Sequence, residues 1–154
     1  MFCEILLTLD VIGLGMLLGG SSYESVVMNP NYRANIPQSL EHMRSFMKVK
    51  TPANFFRILS PATMVFLLVT VIVCWGLLSE RWWLVAAFAM LIVADTITYS
   101  FHYPRNKVLF IDPLSSDSEM LTRLARQWQT GNKVRIVLLV LAILSVLVGI
   151  FNLV

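Results

Sequence analysis

Four blocks of mostly apolar residues, each about 20 residues long, divide this sequence. They span about residues 2–22, 60–79, 82–102 and 134–153. An α-helix rises about 1.5 Å per residue, so a block of this length covers the roughly 30 Å hydrocarbon core of a bilayer. Because 57% of the residues are hydrophobic and only 14% are charged, the chain lacks the polar surface of a soluble domain. The pattern predicts an all-α, polytopic membrane protein with one domain, residues 1–154, folded as a bundle of four transmembrane helices.

The distribution of Lys and Arg predicts how this bundle is oriented. Four crossings place both termini and the short turn at 79–82 on one side, here called side A. The long segments 23–59 and 102–133 then lie together on the other side, side B. Of the 12 Lys and Arg residues, only Arg81 lies on side A. Cytoplasmic loops carry an excess of basic residues, so we expect an integral protein of a bacterial inner membrane with both termini outside and the long loops in the cytoplasm. The first block has no basic residue before it, which favours a retained helix over a signal peptide. The net charge of +3 follows from this bias and does not indicate a nucleic-acid partner.

Both long segments are predicted to fold into short helices. In the first, apolar residues at positions 40, 43 and 47 predict an amphipathic helix that is capped by Ser39 and ended by Pro52. In the second, Ser116 or Asp117 is expected to cap another helix, which Gly131 separates from the fourth span. The two short helices would form a cap over side B.

Glycines and cysteines give two further expectations. Gly15 and Gly19 have the small-xxx-small spacing that allows two transmembrane helices to approach closely. Cys3 and Cys74 are far apart in sequence and form no Cys-x-x-Cys motif, which argues against a thiol–quinone oxidoreductase. We therefore expect two free thiols.

Polar residues collect on three of the four spans, mostly towards side B. They are Asp10, Ser21, Tyr23 and Glu24 on the first span, Asp95, Thr98, Tyr99 and His102 on the third, and Asn132 and Arg135 on the fourth. Residues three, four and seven positions apart share one face of a helix. A charge that faces hydrocarbon is costly, so these faces should turn inward and meet under the cap. For Asp95 we predict a hydrogen bond to the first or the fourth span.

The same residues allow other interpretations. Glu24 and Arg135 can form an interhelical ion pair, and the tyrosines and His102 can be interfacial aromatics, which would make the polar faces purely structural. A metal site is a further alternative, with Glu24, His42 and His102 as ligands. These three residues lie on separate segments without a compact motif, and we predict a site without a metal.

Three short motifs resemble those of a known family. The motif "GGSSYESVVMNP" ends the first span, "YPRNKVLF" follows the third, and "WQTGNKVR" precedes the fourth. Their order along nearly the whole chain resembles the anthrone oxygenase family of small four-helix membrane proteins, formerly a domain of unknown function. The matching positions are Tyr23, Glu24, Pro104, Arg105, Asn106, Trp128, Asn132 and Arg135.

The resemblance implies oxidation of a polyketide anthrone to an anthraquinone by dioxygen, without a cofactor. Loss of a proton from the activated CH2 of an anthrone gives an electron-rich enolate that can reduce dioxygen directly. His102 is the expected base, since the reference pKa of histidine is about 6.5. Arg135 and Asn132 are expected to stabilise the enolate oxygen, and Glu24 to neutralise Arg135.

The expected partners are membrane lipid, a small apolar aromatic substrate and dioxygen. The residues expected to bind the substrate are Tyr23, Asp95, Tyr99, Tyr103, Asn106 and Trp128. Two other classes of function stay open: a protein that binds or transports a small solute without chemistry, and a scaffold subunit. Oxygen consumption with a hydroxyaromatic substrate separates an enzyme from a carrier.

Overall fold

The computed structural model describes residues 2–76 and 81–151, and within these ranges the chain is all-helical, without strands. Five helices follow each other: α1 Phe2–Arg33, α2 Gln38–Phe46, α3 Pro52–Val73, α4 Trp82–Ile111 and α5 Ser118–Phe151. Four of them, all except α2, are long and apolar enough to cross a membrane. The all-α prediction with four candidate spans is therefore confirmed. The predicted ends of the second and fourth spans, and the first half of the turn at 79–82, lie outside the described residues.

The four long helices form a bundle in which each packs against two neighbours. The order around the bundle is α1, α3, α4, α5, and α5 closes the ring against α1. Leu14, Leu67, Leu91 and Leu139 belong to the buried core between them. Many large apolar side chains point outward from all four helices, among them Ile12, Phe66, Val93 and Val137. An apolar exterior of this kind is what a bundle surrounded by lipid requires.

Helices α1 and α4 continue well past the ends predicted for their spans, because each contains a π-helical turn before a proline. In α1 the turn is Glu24–Met28, where the N–H of Asn29 donates to the carbonyl of Glu24, and Pro30 follows. In α4 it is Thr98–His102, followed by Pro104. A proline has no N–H to donate, and a wider turn before it adjusts the hydrogen-bonding pattern. The Asn29-Pro30 pair is therefore inside a helix.

Helix α5 is continuous through Gly131, so the predicted second short helix is its first part. Asp117 caps it, since Asp117 Oδ1 accepts a hydrogen bond from the backbone N–H of Met120 at 2.9 Å. The predicted break at Gly131 is wrong. A Cβ at this position would lie 2.7 Å from two ring carbons of Phe101 and 3.2 Å from His102 Cε1. Gly131 thus allows α5 to pass close to α4.

The predicted first short helix is confirmed as α2, but its limits have other causes. Ser39 does not cap it, because Ser39 Oγ donates to the carbonyl of Tyr32 at 2.6 Å. Pro52 does not end it either: α2 ends at Phe46, and Pro52 begins α3. The backbone N–H of Thr51 donates to Asn54 Oδ1 at 2.8 Å, which is half of a capping box. The start of α3 therefore lies eight residues before the predicted span.

Arg44 on α2 fixes the end of α4. Its guanidinium donates to the carbonyls of Val108, Leu109 and Asp112 at 2.9, 2.9 and 2.6 Å. The last carbonyls of a helix have no intrahelical partner and carry partial negative charge, so a cation there is favourable. Partial burial lowers the pKa of Arg44, while Asp112 and Glu41 act in the opposite direction. An arginine side chain nevertheless stays protonated in a protein.

The expectation for the α1 glycines is wrong. No atom would lie within 4 Å of a Cβ at Gly15 or Gly19. The close approaches occur at Gly13, where a Cβ would lie 2.8 Å from Thr63 Oγ1, and at Gly20, where it would lie 2.9 Å from Phe55 Cε1. Gly13 and Gly20 therefore allow α1 to pack closely against α3.

The expectation of two free thiols is also wrong. Cys3 and Cys74 form a disulfide with their Cα atoms 5.9 Å apart, across 71 residues of sequence. Cys3 lies in the first turn of α1, and Cys74 directly follows the last residue of α3. Because α1 and α3 are antiparallel neighbours, these two ends meet at side A.

Candidate functional site

A cavity of about 340 Å³ lies at the side B end of the bundle. Below it is the core of the four long helices. Above it is a second, smaller core, made of Tyr32, Leu40, Leu109, Leu121 and Ala125. The walls come from the C-terminal part of α1, the start of α3, the C-terminal part of α4 and the middle of α5. This is the place under the cap where the polar faces of three spans were predicted to meet.

Helix α3 and the C-terminal part of α4 are separated where both line the cavity. Helix α3 packs against Trp82–Ile97 of α4, but none of its Cα atoms lies within 8 Å of a Cα atom in the described residues 98–111. We call this gap the α3–α4 cleft. Arg57 and Tyr103 stand on its two sides, with the guanidinium carbon 5.8 Å from the ring centroid. We infer that the cleft is a lateral entrance to the cavity.

Six of the ten residues predicted for the site line this cavity, and four do not. The six are Glu24, His102, Tyr103, Asn106, Trp128 and Arg135. The other four are Tyr23, Asp95, Tyr99 and Asn132. The wall also includes Met28, Tyr32, Phe56 and Phe110, so its surface is mostly apolar and aromatic.

His102 is a buried imidazole without a hydrogen bond. It is 1% exposed, and neither Nδ1 nor Nε2 has a partner among the described residues. The ring stacks at a tilt on Trp128, with centroids 4.8 Å apart. A Cβ at Gly131 would lie 3.2 Å from Cε1 of this ring. A buried ring nitrogen usually has a partner, so two unpaired nitrogens in the residue that lines the cavity are unusual.

Arg135 is buried, at 6% exposed, and is held by hydroxyl groups. Nη2 donates to Ser21 Oγ at 2.7 Å and Nη1 donates to Thr98 Oγ1 at 3.2 Å. The guanidinium carbon also lies 4.3 Å from the ring centroid of Phe56, a cation–π contact. Both hydrogen bonds go to neutral groups, so the positive charge is not neutralised by a directly bonded carboxylate.

Glu24 lies on the π-helical turn of α1 and is buried. Its Oε1 has no hydrogen-bond partner in the described part of the chain. The predicted direct ion pair with Arg135 is therefore replaced by the hydroxyl contacts of Arg135. Met28 and Tyr32 follow Glu24 at four and eight positions and line the same cavity.

Asn132 is buried next to the cavity rather than in its wall. Its Nδ2 donates to the backbone carbonyl of Ser21 at 2.8 Å. Asn132 and Arg135 thus both bond to Ser21 and fix α5 against α1. The predicted contact of Asn132 with substrate is not supported, and the residue instead shares Ser21 with Arg135 as an acceptor of its hydrogen bond.

Trp128 forms the aromatic wall together with Asn106. Trp128 Nε1 donates to Asn106 Oδ1 at 2.7 Å, which satisfies the only donor of the indole. Tyr32 contacts Trp128 edge-on, with centroids 6.3 Å apart. Asn29 Nδ2 in turn donates to the hydroxyl of Tyr32. Both aromatic side chains therefore have fixed orientations.

The remaining predicted residues lie elsewhere. Tyr23 is 57% exposed on the outside of α1, so its predicted role in substrate binding is not supported. Tyr99 is 56% exposed and borders a separate crevice of about 20 Å³ with Asp95. Asp95 does face protein, but it accepts a hydrogen bond from Ser60 Oγ at 2.5 Å. Its partner is thus on α3, the second span, and not on the first or the fourth.

The alternative metal site is not assembled. His42 lies on the exposed face of α2. Within residues 2–76 and 81–151 there is no group of three His, Cys, Asp or Glu side chains that could hold a metal ion. Glu24 and His102 share the cavity, but His42 does not belong to it.

Sequence reasoning missed several residues of the cavity wall. Phe56, Arg57, Lys107 and Phe110 were assigned to loops, and no local pattern marks them as neighbours. Tyr32 could have been found, because its spacing of eight from Glu24 places both on one face of a helix. Pro30 obscures this relation, because a proline within a helical pattern usually marks a helix end.

No protein-family model, curated protein or solved structure matches this chain. The resemblance to the anthrone oxygenase family therefore stays a prediction. The cavity and its lining residues are therefore the evidence for a function.

Proposed function

We propose that the cavity is the active site of a membrane-embedded oxygenase that acts on a flat, lipid-soluble aromatic substrate of the polyketide type. The observation that carries the proposal is the imidazole of His102, which is buried in an aromatic wall with both nitrogens unpartnered among the described residues. Such a nitrogen is free to accept a proton from a bound ligand. The cavity volume, about 340 Å³, falls in the range of small-molecule sites.

The proposed reaction begins with proton transfer from an activated CH2 group to His102. This CH2 lies between two aryl rings and opposite a carbonyl, so the product is a delocalised enolate. The enolate transfers electrons to dioxygen, and the resulting peroxide loses water, so that CH2 and O2 become C=O and H2O. Arg135 stabilises the enolate oxygen, and Glu24 balances the charge of protonated His102. The apolar wall keeps bulk water away from the enolate.

We further propose that the protein spans the membrane with side B, and hence the cavity, in the cytoplasm. The Lys and Arg distribution supports this orientation. The disulfide between Cys3 and Cys74 lies at the opposite end, on side A. Disulfides persist in oxidising compartments and are rare in the cytosol. The distribution of basic residues and the position of the disulfide therefore support the same orientation.

Replacing His102 tests the proposed reaction. The purified protein in nanodiscs is supplied with a tricyclic anthrone, and oxygen consumption and quinone formation are recorded against protein-free nanodiscs. We expect catalysed turnover by the unsubstituted protein, and a loss of about 100-fold or more in His102→Ala, because general base catalysis contributes about that much. His42→Ala is the matched control, since His42 is the other histidine of the chain and is exposed on α2.

Two results would contradict this proposal. One is a folded His102→Ala variant with the turnover of the unsubstituted protein. The other is tight binding of the anthrone with oxygen consumption no faster than in protein-free nanodiscs. The second result would favour a carrier, which is the competing function. The lateral α3–α4 cleft suits a carrier as well as an enzyme, because both take their ligand from lipid.

A further inference from the structure

The entrance of the cavity carries two cations that the proposed reaction does not use. Arg57 on α3 and Lys107 on α4 are exposed and line the cavity at the α3–α4 cleft. Within the described chain, neither side chain forms a hydrogen bond or an ion pair. The guanidinium of Arg57 contacts the ring of Tyr103. Positive charge at side B is general, but these two residues differ from the others in flanking the entrance of a ligand-sized space.

The whole lining has an excess of positive charge. Arg57, Lys107 and Arg135 are cationic, and Glu24 is the carboxylate among the lining residues. The lining residues differ in burial. His102 and Arg135 are buried, whereas Arg57 and Lys107 are exposed, and aromatic side chains line the same cavity. Charges of one sign beside low-dielectric walls concentrate ions of the opposite sign.

We propose that the ligand of this cavity is an acidic amphiphile: a flat apolar body that lies along the aromatic wall, with an oxyanion that Arg57 and Lys107 bind at the cleft. The inference rests on the proposed function for the position of the reacting carbon near His102. It adds a substrate class, aromatic acids, and an orientation in which the acid group stays at the entrance. A phospholipid phosphate offers the same oxyanion chemistry to the two cations.

Paired probes test this inference. Anthracene-2-carboxylate and the neutral anthracene-2-carboxamide have nearly the same shape and differ in charge. Their binding to the full chain in zwitterionic nanodiscs is measured by quenching of tryptophan fluorescence, after subtraction of protein-free nanodiscs. We expect the unsubstituted protein to bind the acid about tenfold more tightly than the amide, as charge-assisted hydrogen bonds provide. In the double variant Arg57→Gln/Lys107→Gln this preference should disappear, with amide binding unchanged.

The double variant Arg123→Gln/Arg126→Gln is the matched control. It removes the same charge from two exposed positions of α5 that do not line the cavity. This control should keep the preference for the acid. Equal binding of both probes by the unsubstituted protein, or an equal loss of preference in both double variants, would overturn the inference and leave the proposed function intact. Failure of both probes to bind would overturn both.

A second arm identifies the source of the oxyanion. The acid probe is measured again in nanodiscs with about one-third anionic phospholipid, a content at which the lipid surface itself attracts basic residues. Displacement of the probe that depends on Arg57 and Lys107 would support the oxyanion site with the headgroup of an anionic phospholipid as its occupant. Retention of the probe would support the site with a free aromatic acid as its ligand.

Discussion

At the residue scale, the side chain of Arg135 decides the chemistry of the cavity. A guanidinium inside a bundle is costly unless its donors are satisfied. Here Ser21 and Thr98 accept from its two terminal nitrogens, and Phe56 covers one face. These contacts orient a positive charge without a directly bonded carboxylate, so the charge is available to an anionic ligand.

Arg135→Lys is expected to slow the proposed reaction although it keeps the charge. An ammonium is compact and cannot bond to Ser21 and Thr98 in the geometry of a planar fork. We expect anthrone turnover, measured as oxygen consumption in nanodiscs, to fall about tenfold, because the displaced cation stabilises the enolate oxygen less well. Arg126→Lys, on the exposed side of the same helix, should leave the turnover unchanged. An Arg135→Lys variant with unaltered turnover would show that charge alone matters.

At the element scale, irregular turns and one glycine bring α1, α4 and α5 together. The π-helical turns place Glu24 and His102 on the inner faces of helices that continue through prolines. Such turns are common at functional sites because they redirect side chains within a continuous helix. Gly131 then removes the side chain that would keep α5 away from Phe101 and His102.

Gly131→Ala should destabilise the protein, and Gly15→Ala should not. The new methyl at position 131 would lie 2.7 Å from the ring of Phe101, and overpacking of this kind costs about 1–3 kcal/mol. At Gly15 no atom lies within 4 Å, so alanine should leave the stability unchanged or raise it by up to about 1 kcal/mol. Thermal unfolding in detergent, followed by near-UV circular dichroism, compares the two variants. Equal midpoints would mean that α4 adjusts to the methyl without cost.

At the scale of the whole molecule, the two ends of the bundle differ in chemistry. Side A holds the disulfide between Cys3 and Cys74 and the aromatic cluster of Trp75 and Trp82, over which Arg81 lies. Side B holds the cavity, α2 and the other basic residues. A bundle with these ends fits a membrane whose two aqueous phases differ in redox state.

Thiol labelling in intact cells tests both the disulfide and the orientation. After denaturation, Cys3 and Cys74 should react with a maleimide only when a reductant has been added. In a Cys3→Ser/Cys74→Ser background, a cysteine placed at Ser115 should be protected from an impermeant maleimide until the cells are opened. A cysteine added at Val154 should react from outside. Labelling of position 115 in intact cells would reverse the proposed orientation.

The helical class, the four apolar spans and six residues of the cavity wall could be predicted from local patterns in the sequence. These predictions are possible because a buried charge must leave the lipid face, and helical spacing shows which residues share a face. Local sequence rules also predict the N-terminal cap of α5 at Asp117 and the apolar stripe of α2.

The lengths of the helices, and the side chains that meet between them, depend on tertiary packing. Local sequence rules predict that a helix ends before a proline. Tertiary packing nevertheless stabilises α1 and α4 beyond Pro30 and Pro104. The disulfide, the bond between Ser60 and Asp95, and the cavity wall from α3 join residues far apart in sequence. No local pattern contains these distances, because they depend on which helices are neighbours in the bundle and at what depth each residue lies.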